Sequence, residues 1–255
     1  ITEWLPISST GHMILADEWI QLSGGKAFVD LFMVVVQFGS ILAVLVLYFH
    51  KLNPFSAKKN AKQKHDTLSL WGKVLIATIP AGIIGLLFEE KINALFYNPT
   101  TVAITLIVYG VGFIVVENQR RKGRIQSFAH MTYRTAALIG VFQVLALIPG
   151  TSRSGATILG AVMLGCSRTV AAEFSFFLAI PVMLGASGLK LIKYADLLVG
   201  PQLLTLLVGT VVAFAVSLFA IRFLMKFIQT HTFKPFGYYR IVLGAAVLLY
   251  FYVLI

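Results

Sequence analysis

Long apolar runs dominate the chain, and the polar positions between them divide it into elements of membrane-spanning length. Residues 28–49 carry Asp30 and Gln37 against an oily background, and further runs follow at about 70–88 and 101–116. Later runs cover about 170–192, 202–221 and 239–255. Crossing a hydrocarbon core takes about 20 helical residues, so these six runs predict six spanning helices. Two stretches break the pattern. Residues 1–25 are too polar and too short to cross, with Glu3, Pro6, Ser8, Ser9, Thr10, Gly11 and His12 preceding a short amphipathic segment that ends at Asp17 and Glu18. Residues 133–148 and 155–165 are apolar legs, each too short to span, on either side of Pro149-Gly150-Thr151-Ser152-Arg153-Ser154. Both stretches predict re-entrant hairpins that dip to the midplane, where irregular backbone is tolerated only against protein or a water-filled cavity.

Charge then orients the helices. Five lysines lie between Lys51 and Lys64, and Arg120, Arg121, Lys122 and Arg124 form a second basic stretch. Arg222, Lys226, Lys234 and Arg240 form a third. The positive-inside rule puts all three in the cytoplasm. Residues 1–25 then enter from outside and 133–165 from inside. The two hairpins also look alike: with one residue inserted in the later copy, Pro6 matches Pro149, Ser9 matches Ser152 and Gly11 matches Gly155. The expected fold is therefore an all-α, polytopic membrane protein built as an inverted-topology repeat. Residues 1–125 form the first unit, its hairpin expected to have lost its first leg ahead of Ile1, and residues 126–255 form the second. Two re-entrant helical hairpins meet near the bilayer midplane, the place where inverted-repeat membrane proteins keep their binding sites.

The composition agrees with this reading. Hydrophobic residues make up 58% of the chain and charged residues 12%, and the mean hydropathy of +0.86 is far above that of a soluble globule. The net charge of +11 does not point to nucleic acid, because the cations cluster between apolar runs. One cysteine, Cys166, allows neither an intrachain disulfide nor a cysteine metal cluster.

The chemistry concentrates at the two breaks. An arginine at membrane depth costs ~2.5–3.5 kcal/mol, so Arg153 must face protein or a cavity. A guanidinium beside the hydroxyls of Thr151, Ser152, Ser154 and Thr157, with Gly150 and Gly155 permitting close backbone approach, describes an anion site suited to phosphate. Bringing in the first hairpin adds the Glu3 carboxylate, the Ser8, Ser9 and Thr10 hydroxyls and the His12 imidazole, a set that fits phosphoryl transfer. Ser9 precedes His12 by three residues, so on a helix starting after Pro6 they share a face and the imidazole could take the serine proton. Attack by His12 itself or by a metal-bound water stays open. Asp30 and Glu173 read either as pathway carboxylates or, preferably, as partners of Lys26 and Arg168 near the membrane edge, and Gln37 is expected to bond a neighbouring helix. His50, His65, His130 and His231 read as solvated, without metal-ligand spacing.

The stretches Thr2-Glu3-Trp4-Leu5-Pro6-Ile7-Ser8-Ser9-Thr10-Gly11-His12 and Pro149-Gly150-Thr151-Ser152-Arg153-Ser154-Gly155-Ala156-Thr157 closely resemble the two signature motifs of the bacterial undecaprenyl-diphosphate phosphatase family, the bacitracin-resistance type. The likeness extends through Asp30-Leu31-Phe32 and Glu173-Phe174-Ser175-Phe176. It implies a multi-pass enzyme of the bacterial inner membrane. Such an enzyme removes the terminal phosphate of undecaprenyl diphosphate, with its active site open to the outer, periplasmic face. That activity regenerates the carrier lipid for peptidoglycan and confers bacitracin resistance. The resemblance also implies a divalent cation, Mg2+ or Ca2+, and leaves room for a homodimer. By motif position, Glu3 would be the second acidic residue of a Glu/Gln-x-x-x-Glu element and a metal ligand, the first position of that element falling before Ile1. Ser9 and His12 would be the nucleophile or its activating partner, and Arg153 the phosphate clamp. Ser8, Thr10, Gly11, Gly150, Thr151, Ser152, Ser154 and Thr157 would line the substrate. The alternative reading is a polyprenyl-phosphate transporter or flippase working by alternating access.

Overall fold

The computed structural model describes residues 1–17, 22, 25–119, 123–194, 196 and 200–254. The described residues are helical almost throughout: α1 (Ser9–Asp17), α2 (Gly25–Leu47), α3 (Phe49–Leu52), α4 (Ala61–Phe96), α5 (Pro99–Asn118), α6 (Tyr133–Val144), α7 (Arg153–Met163), α8 (Arg168–Lys193), α9 (Gly200–Thr230) and α10 (Lys234–Leu249). Six stretches are long and apolar enough to cross a membrane: Ala27–Leu47, Ala61–Phe88, Pro99–Asn118, Arg168–Lys193, Gly200–Thr230 and Lys234–Val253. They answer to the six apolar runs, with longer ends. Local sequence sets those ends. Asn60 and Gln63 form a capping box that starts α4 upstream of its apolar run, so Lys62 and Lys64 sit in its first turns instead of in a loop. Glu90 and Lys91 are likewise helical, before the chain turns into α5 at Asn98, which caps Thr101, with Pro99 in the first turn.

Helix pairs meet where side chains are small. Gly110 of α5 and Gly237 of α10 face each other's carbonyls, and a Cβ on either would come to 2.7 Å from the other's oxygen. Backbones can approach that closely only through glycine, which lets dispersion hold helices together where lipid offers no hydrophobic drive. Hydroxyls add bonds between helices, Ser217 to Ser40 at 3.0 Å and Ser187 to the Val34 carbonyl at 3.2 Å. The α9 face bearing Leu204, Val208, Val211 and Phe219 stays uncovered by protein, as a lipid-facing surface would.

Helices α6 and α7 form a hairpin. Ile125, before it, pairs in parallel with Cys166, after it, through bonds to Gly165 and Ser167, so the chain enters and leaves at one level. The Pro149–Ser152 turn is then at the far tip. Residues 2–7 form the matching turn that leads into α1.

Several charged residues depart from the sequence reading. Arg222 and Lys226 lie within α9, and Arg240 lies inside α10, completely buried, so none of the three is in a loop. Glu173 pairs with Lys51 at 2.5 Å and Arg168 with Glu117 at 2.6 Å, displacing the expected Glu173–Arg168 pair. Asp30 is exposed. Gln37 bonds back to the Met33 carbonyl of its own helix, not to a neighbour. His50, His65, His130 and His231 are exposed, as expected. Glu18, Arg120, Arg121 and Lys122 lie outside the described residues, as do the side chains of Asp17 and Lys26.

Candidate active site

The two turns meet. Arg153, the first residue of α7, sends Nη2 to Glu3 Oε1 at 3.4 Å and Nη1 to the Ser175 carbonyl of α8 at 2.9 Å. Ser9, the first residue of α1, donates its hydroxyl to the other Glu3 oxygen at 3.0 Å. One carboxylate is thus held from both sides by residues that open two helices far apart in the sequence. The Arg153 and Glu3 side chains are 11% and 18% exposed, so the ion pair is shielded yet reachable. Trp4 lies across the guanidinium, 5.7 Å from its ring centroid to Cζ, and is backed by the edge of Phe176.

Each turn is locked by an unusual serine. Ser8 and Ser152 have φ of 68° and 71°, the two positive values among described non-glycine residues. Their hydroxyls accept the N–H of Gly11 and Gly155, so each caps its helix. In this geometry Ser152 stands as Ser8 does, Gly155 as Gly11 and Arg153 as Ser9, whereas the gapped sequence match set Ser9 against Ser152.

Arg240 ties the turns together. Its Nη1 donates to the Pro6 carbonyl at 3.2 Å, its Nη2 to those of Gly150 and Thr151 at 2.9 Å each, and its Nε to Leu106 at 3.4 Å. Turn carbonyls in a buried loop need donors, and one planar guanidinium serves three of them, at Pro6, Gly150 and Thr151, besides the Leu106 carbonyl of α5. With Arg153 the site holds two guanidiniums against one carboxylate, an excess of positive charge that suits a polyanion. Sequence reasoning missed Arg240 because a lone cation early in an apolar helix has the signature of a loop charge.

Most of the other hydroxyls brace this geometry. Ser154 donates to the Glu3 and Leu5 carbonyls at 3.3 Å each, and Thr157 bonds the Arg153 carbonyl and the Ser175 hydroxyl. Thr151, Ser154, Thr157 and Ser8 are buried. Ser152, partly exposed, also meets the Ser154 hydroxyl at 3.1 Å. Gly150, at φ 87°, packs on the Val102 backbone and Thr105, whose hydroxyl anchors the Pro149 carbonyl at 2.8 Å. Gly11 packs on Leu106, and the Thr10 side chain lies outside the described residues.

His12 does not meet Ser9. Its Nδ1 lies 2.7 Å from the Ser8 carbonyl and its Nε2 2.6 Å from the Tyr239 hydroxyl, with the two rings stacked at 5.6 Å. The serine's polar neighbour is Glu3. Among the described residues no group of three or more His, Cys, Asp or Glu side chains could hold a metal. The donors present, the Glu3 carboxylate with the Ser9 hydroxyl, are hard oxygens. They fit a cation of the magnesium type, which is commonly held by one or two carboxylates and completed by substrate phosphates and water.

Comparison with known proteins bears on this arrangement. The family model of the bacitracin resistance protein BacA matches residues 1–246. An undecaprenyl-diphosphatase 1 of Clostridioides difficile is 61% identical over 254 residues, covering 100% of this chain and 93% of that protein. An undecaprenyl-diphosphatase of Acetivibrio thermocellus is 60% identical over 98% of this chain and 93% of its own length. One from Enterococcus faecalis is 53% identical over 98% and 92%.

Proposed function

Because the chain belongs to the bacitracin resistance protein BacA family, we propose that it is a membrane-embedded hydrolase that converts undecaprenyl diphosphate to undecaprenyl phosphate and inorganic phosphate. This is the activity its relatives are named for. The observation that carries the reading to particular atoms is the convergence of Ser9 and Arg153 on Glu3. The 3.4 Å contact between Arg153 and Glu3 is long for a charge-assisted bond, so a phosphate can take over the guanidinium fork while Ser175 keeps it aimed. Glu3 Oε2 then accepts the Ser9 proton as Oγ attacks the terminal phosphorus. The bond to the bridging oxygen breaks and undecaprenyl phosphate leaves with that electron pair. Water hydrolyses the phosphoserine, and Glu3 returns its proton to Ser9. Glu3 and Ser9 are the residues that would hold Mg2+ or Ca2+, and the cation would supply charge neutralisation for the diphosphate.

Residues 1–125 and 126–255 make up the two inverted units of this reading. What supports it is the recurring order of elements: a serine-capped turn and short helix, then three longer helices, in α1, α2, α4, α5 and again in α7, α8, α9, α10. Lys51, Lys58, Lys59, Arg124 and Lys234 lie in the segments at the end of the bundle where α4 and α10 begin, which supports reading that end as the cytoplasmic one in a bacterial inner membrane. Glu3, Ser9 and His12 lie on the hairpin belonging to the opposite end, so the site opens outward. The test is phosphate release from a C55 isoprenyl diphosphate by the purified protein. Turnover with Mg2+ that stops on chelation is expected, and no release at saturating substrate and metal overturns the assignment.

A further inference from the structure

Among the described residues, the plane of the Arg153 guanidinium rests on contacts with Ser175, Glu3 and Trp4, and an arriving phosphate displaces the second of them. Nη1 is held by the Ser175 carbonyl at 2.9 Å, Nη2 reaches Glu3 at 3.4 Å, and the Trp4 ring covers Cζ with its centroid 5.7 Å away. Nε is buried and has no hydrogen-bond partner among the described residues, so it does not fix the plane. Once phosphate replaces Glu3 at Nη2, one hydrogen bond and the indole remain. A single bond at Nη1 leaves the guanidinium free to pivot, and a surface against its face resists that.

The indole is itself held in the frame of this arginine. The carbonyls on either side of Trp4, those of Glu3 and Leu5, both accept the Ser154 hydroxyl at 3.3 Å, so the backbone at Trp4 is tied to the residue that follows Arg153. Phe176 packs edge to face on the indole at 5.3 Å and 89°, and it follows Ser175, whose carbonyl takes Nη1. The acceptor and the ring's backing thus come from consecutive residues of α8. Trp4 is completely buried, and its Nε1–H has no acceptor among the described residues. A phenylalanine here would carry no such unpaired donor, so polar satisfaction does not account for an indole at this position. What the indole adds is the ring face that attracts a cation most strongly.

We propose that Trp4 is a positioning residue for the Arg153 clamp: its ring face holds the guanidinium plane in the orientation that receives the terminal phosphate. This rests on the phosphatase reading, through its assignment of Arg153 to phosphate. The indole contact exists with and without substrate, so it acts by pre-organisation and not by added attraction to phosphate. Without the ring, the guanidinium is free to close the 3.4 Å contact onto Glu3, and substrate has to draw it back.

The test is binding of a methylene-bridged farnesyl diphosphonate, which keeps the diphosphate charge and resists hydrolysis, to the purified Mg2+-loaded protein. Wild type, Trp4→Phe, Trp4→Leu, Arg153→Gln and the Trp4→Leu/Arg153→Gln double variant are compared. Kd should rise about 5- to 10-fold in Trp4→Leu, within the range for freeing one long side chain. Trp4→Phe keeps an aromatic face and should stay within about threefold of wild type. In the Arg153→Gln background, Trp4→Leu should change Kd by less than about twofold, because no guanidinium is left to aim. A packing role alone would weaken binding equally in both backgrounds, and that outcome overturns the proposal, as does wild-type affinity in Trp4→Leu. A fluorinated tryptophan in place of Trp4 covers the case of a variant that fails to fold, since it keeps the shape and drains charge from the ring face. Its Kd should rise, and wild-type affinity of this form also overturns the proposal. Wild type that binds the analogue yet releases no phosphate from a C55 isoprenyl diphosphate overturns the phosphatase reading instead, so the two failures are distinguishable.

Discussion

Ser8 and Ser152 stand at the same strained corner of two different turns, at φ 68° and 71°, each capping a glycine three residues on. The left-handed conformation costs a side-chain-bearing residue roughly 1–2 kcal/mol, and the cap recovers about half or more of it. The consequence is separable by substitution. Ser152→Gly relieves the strain and loses the cap, so its melting temperature in detergent should stay close to wild type. Ser152→Ala keeps the strain and loses the cap, and should be less stable by about 1 kcal/mol. Equal melting of the two variants would mean that the turn is not held by its cap.

Arg240 is predicted to be the residue on which the meeting of the turns depends. Removing its guanidinium by Arg240→Met strands the buried turn carbonyls of Pro6, Gly150 and Thr151, each costing ~1–3 kcal/mol unless water enters. The expected result is loss of at least ~3 kcal/mol of stability, visible as rapid proteolysis. Arg240→Lys keeps the charge and should fold, with activity down tenfold or more, since a point charge cannot span both turns. Wild-type melting and activity for Arg240→Met would show that the carbonyls find other donors.

How much of this was legible in the sequence follows from range. The six spanning helices and the Pro149–Ser154 turn could be read, because apolar length and a buried arginine are local signals. So could the gathering of Glu3 and Arg153 at one site, although their pairing was not foreseen. Arg240 and Tyr239 could not, because their partners, Pro6, Gly150 and His12, lie far off in the chain and are set by how α10 packs on α5 through Gly237 and Gly110. The expected Ser9–His12 contact failed for a local reason. Ser9 is the first residue of α1 and turns out toward Glu3, while His12 bonds back to the Ser8 carbonyl and across to α10. Spacing on a helix shows which residues share a face, and only the packed neighbours decide what that face touches.

Topology gives a prediction independent of catalysis. The single native cysteine, Cys166, is buried and contributes little background. Cysteines placed at Lys59 and at Thr232 should react with a membrane-impermeant thiol reagent from the cytoplasmic side only, and one at Asn93 from the outer side only. Opposite accessibility of positions 59 and 232 would break the inverted arrangement.

Arg153 should bind phosphate through its planar fork, one arm already held by Ser175 at 2.9 Å. Lysine supplies charge without that geometry, so Arg153→Lys is expected to fold and to lose at least ~10²-fold in rate. A lysine variant near wild-type rate would reduce the requirement to a point charge.

The nucleophile is the sharpest question, because Glu3 now stands where His12 was expected. Ser9 donates to Glu3 at 3.0 Å, an orientation that already points its proton at an acceptor and frees its lone pairs for phosphorus. Ser9→Ala should abolish turnover, and Ser9→Thr should keep a trace, since the hydroxyl survives in a more crowded form. Glu3→Gln retains the shape of the carboxylate and removes both its charge and its ability to take the proton, so activity and the response to Mg2+ should fall together. The two substitutions also distinguish the rival in which a water attacks directly. In that case Ser9→Ala would still turn over at a tenth of the normal rate or better, while Glu3→Gln stayed inactive. Such a split would leave Ser9 as a hydrogen-bond donor to substrate and pass the attack to the water beside Glu3.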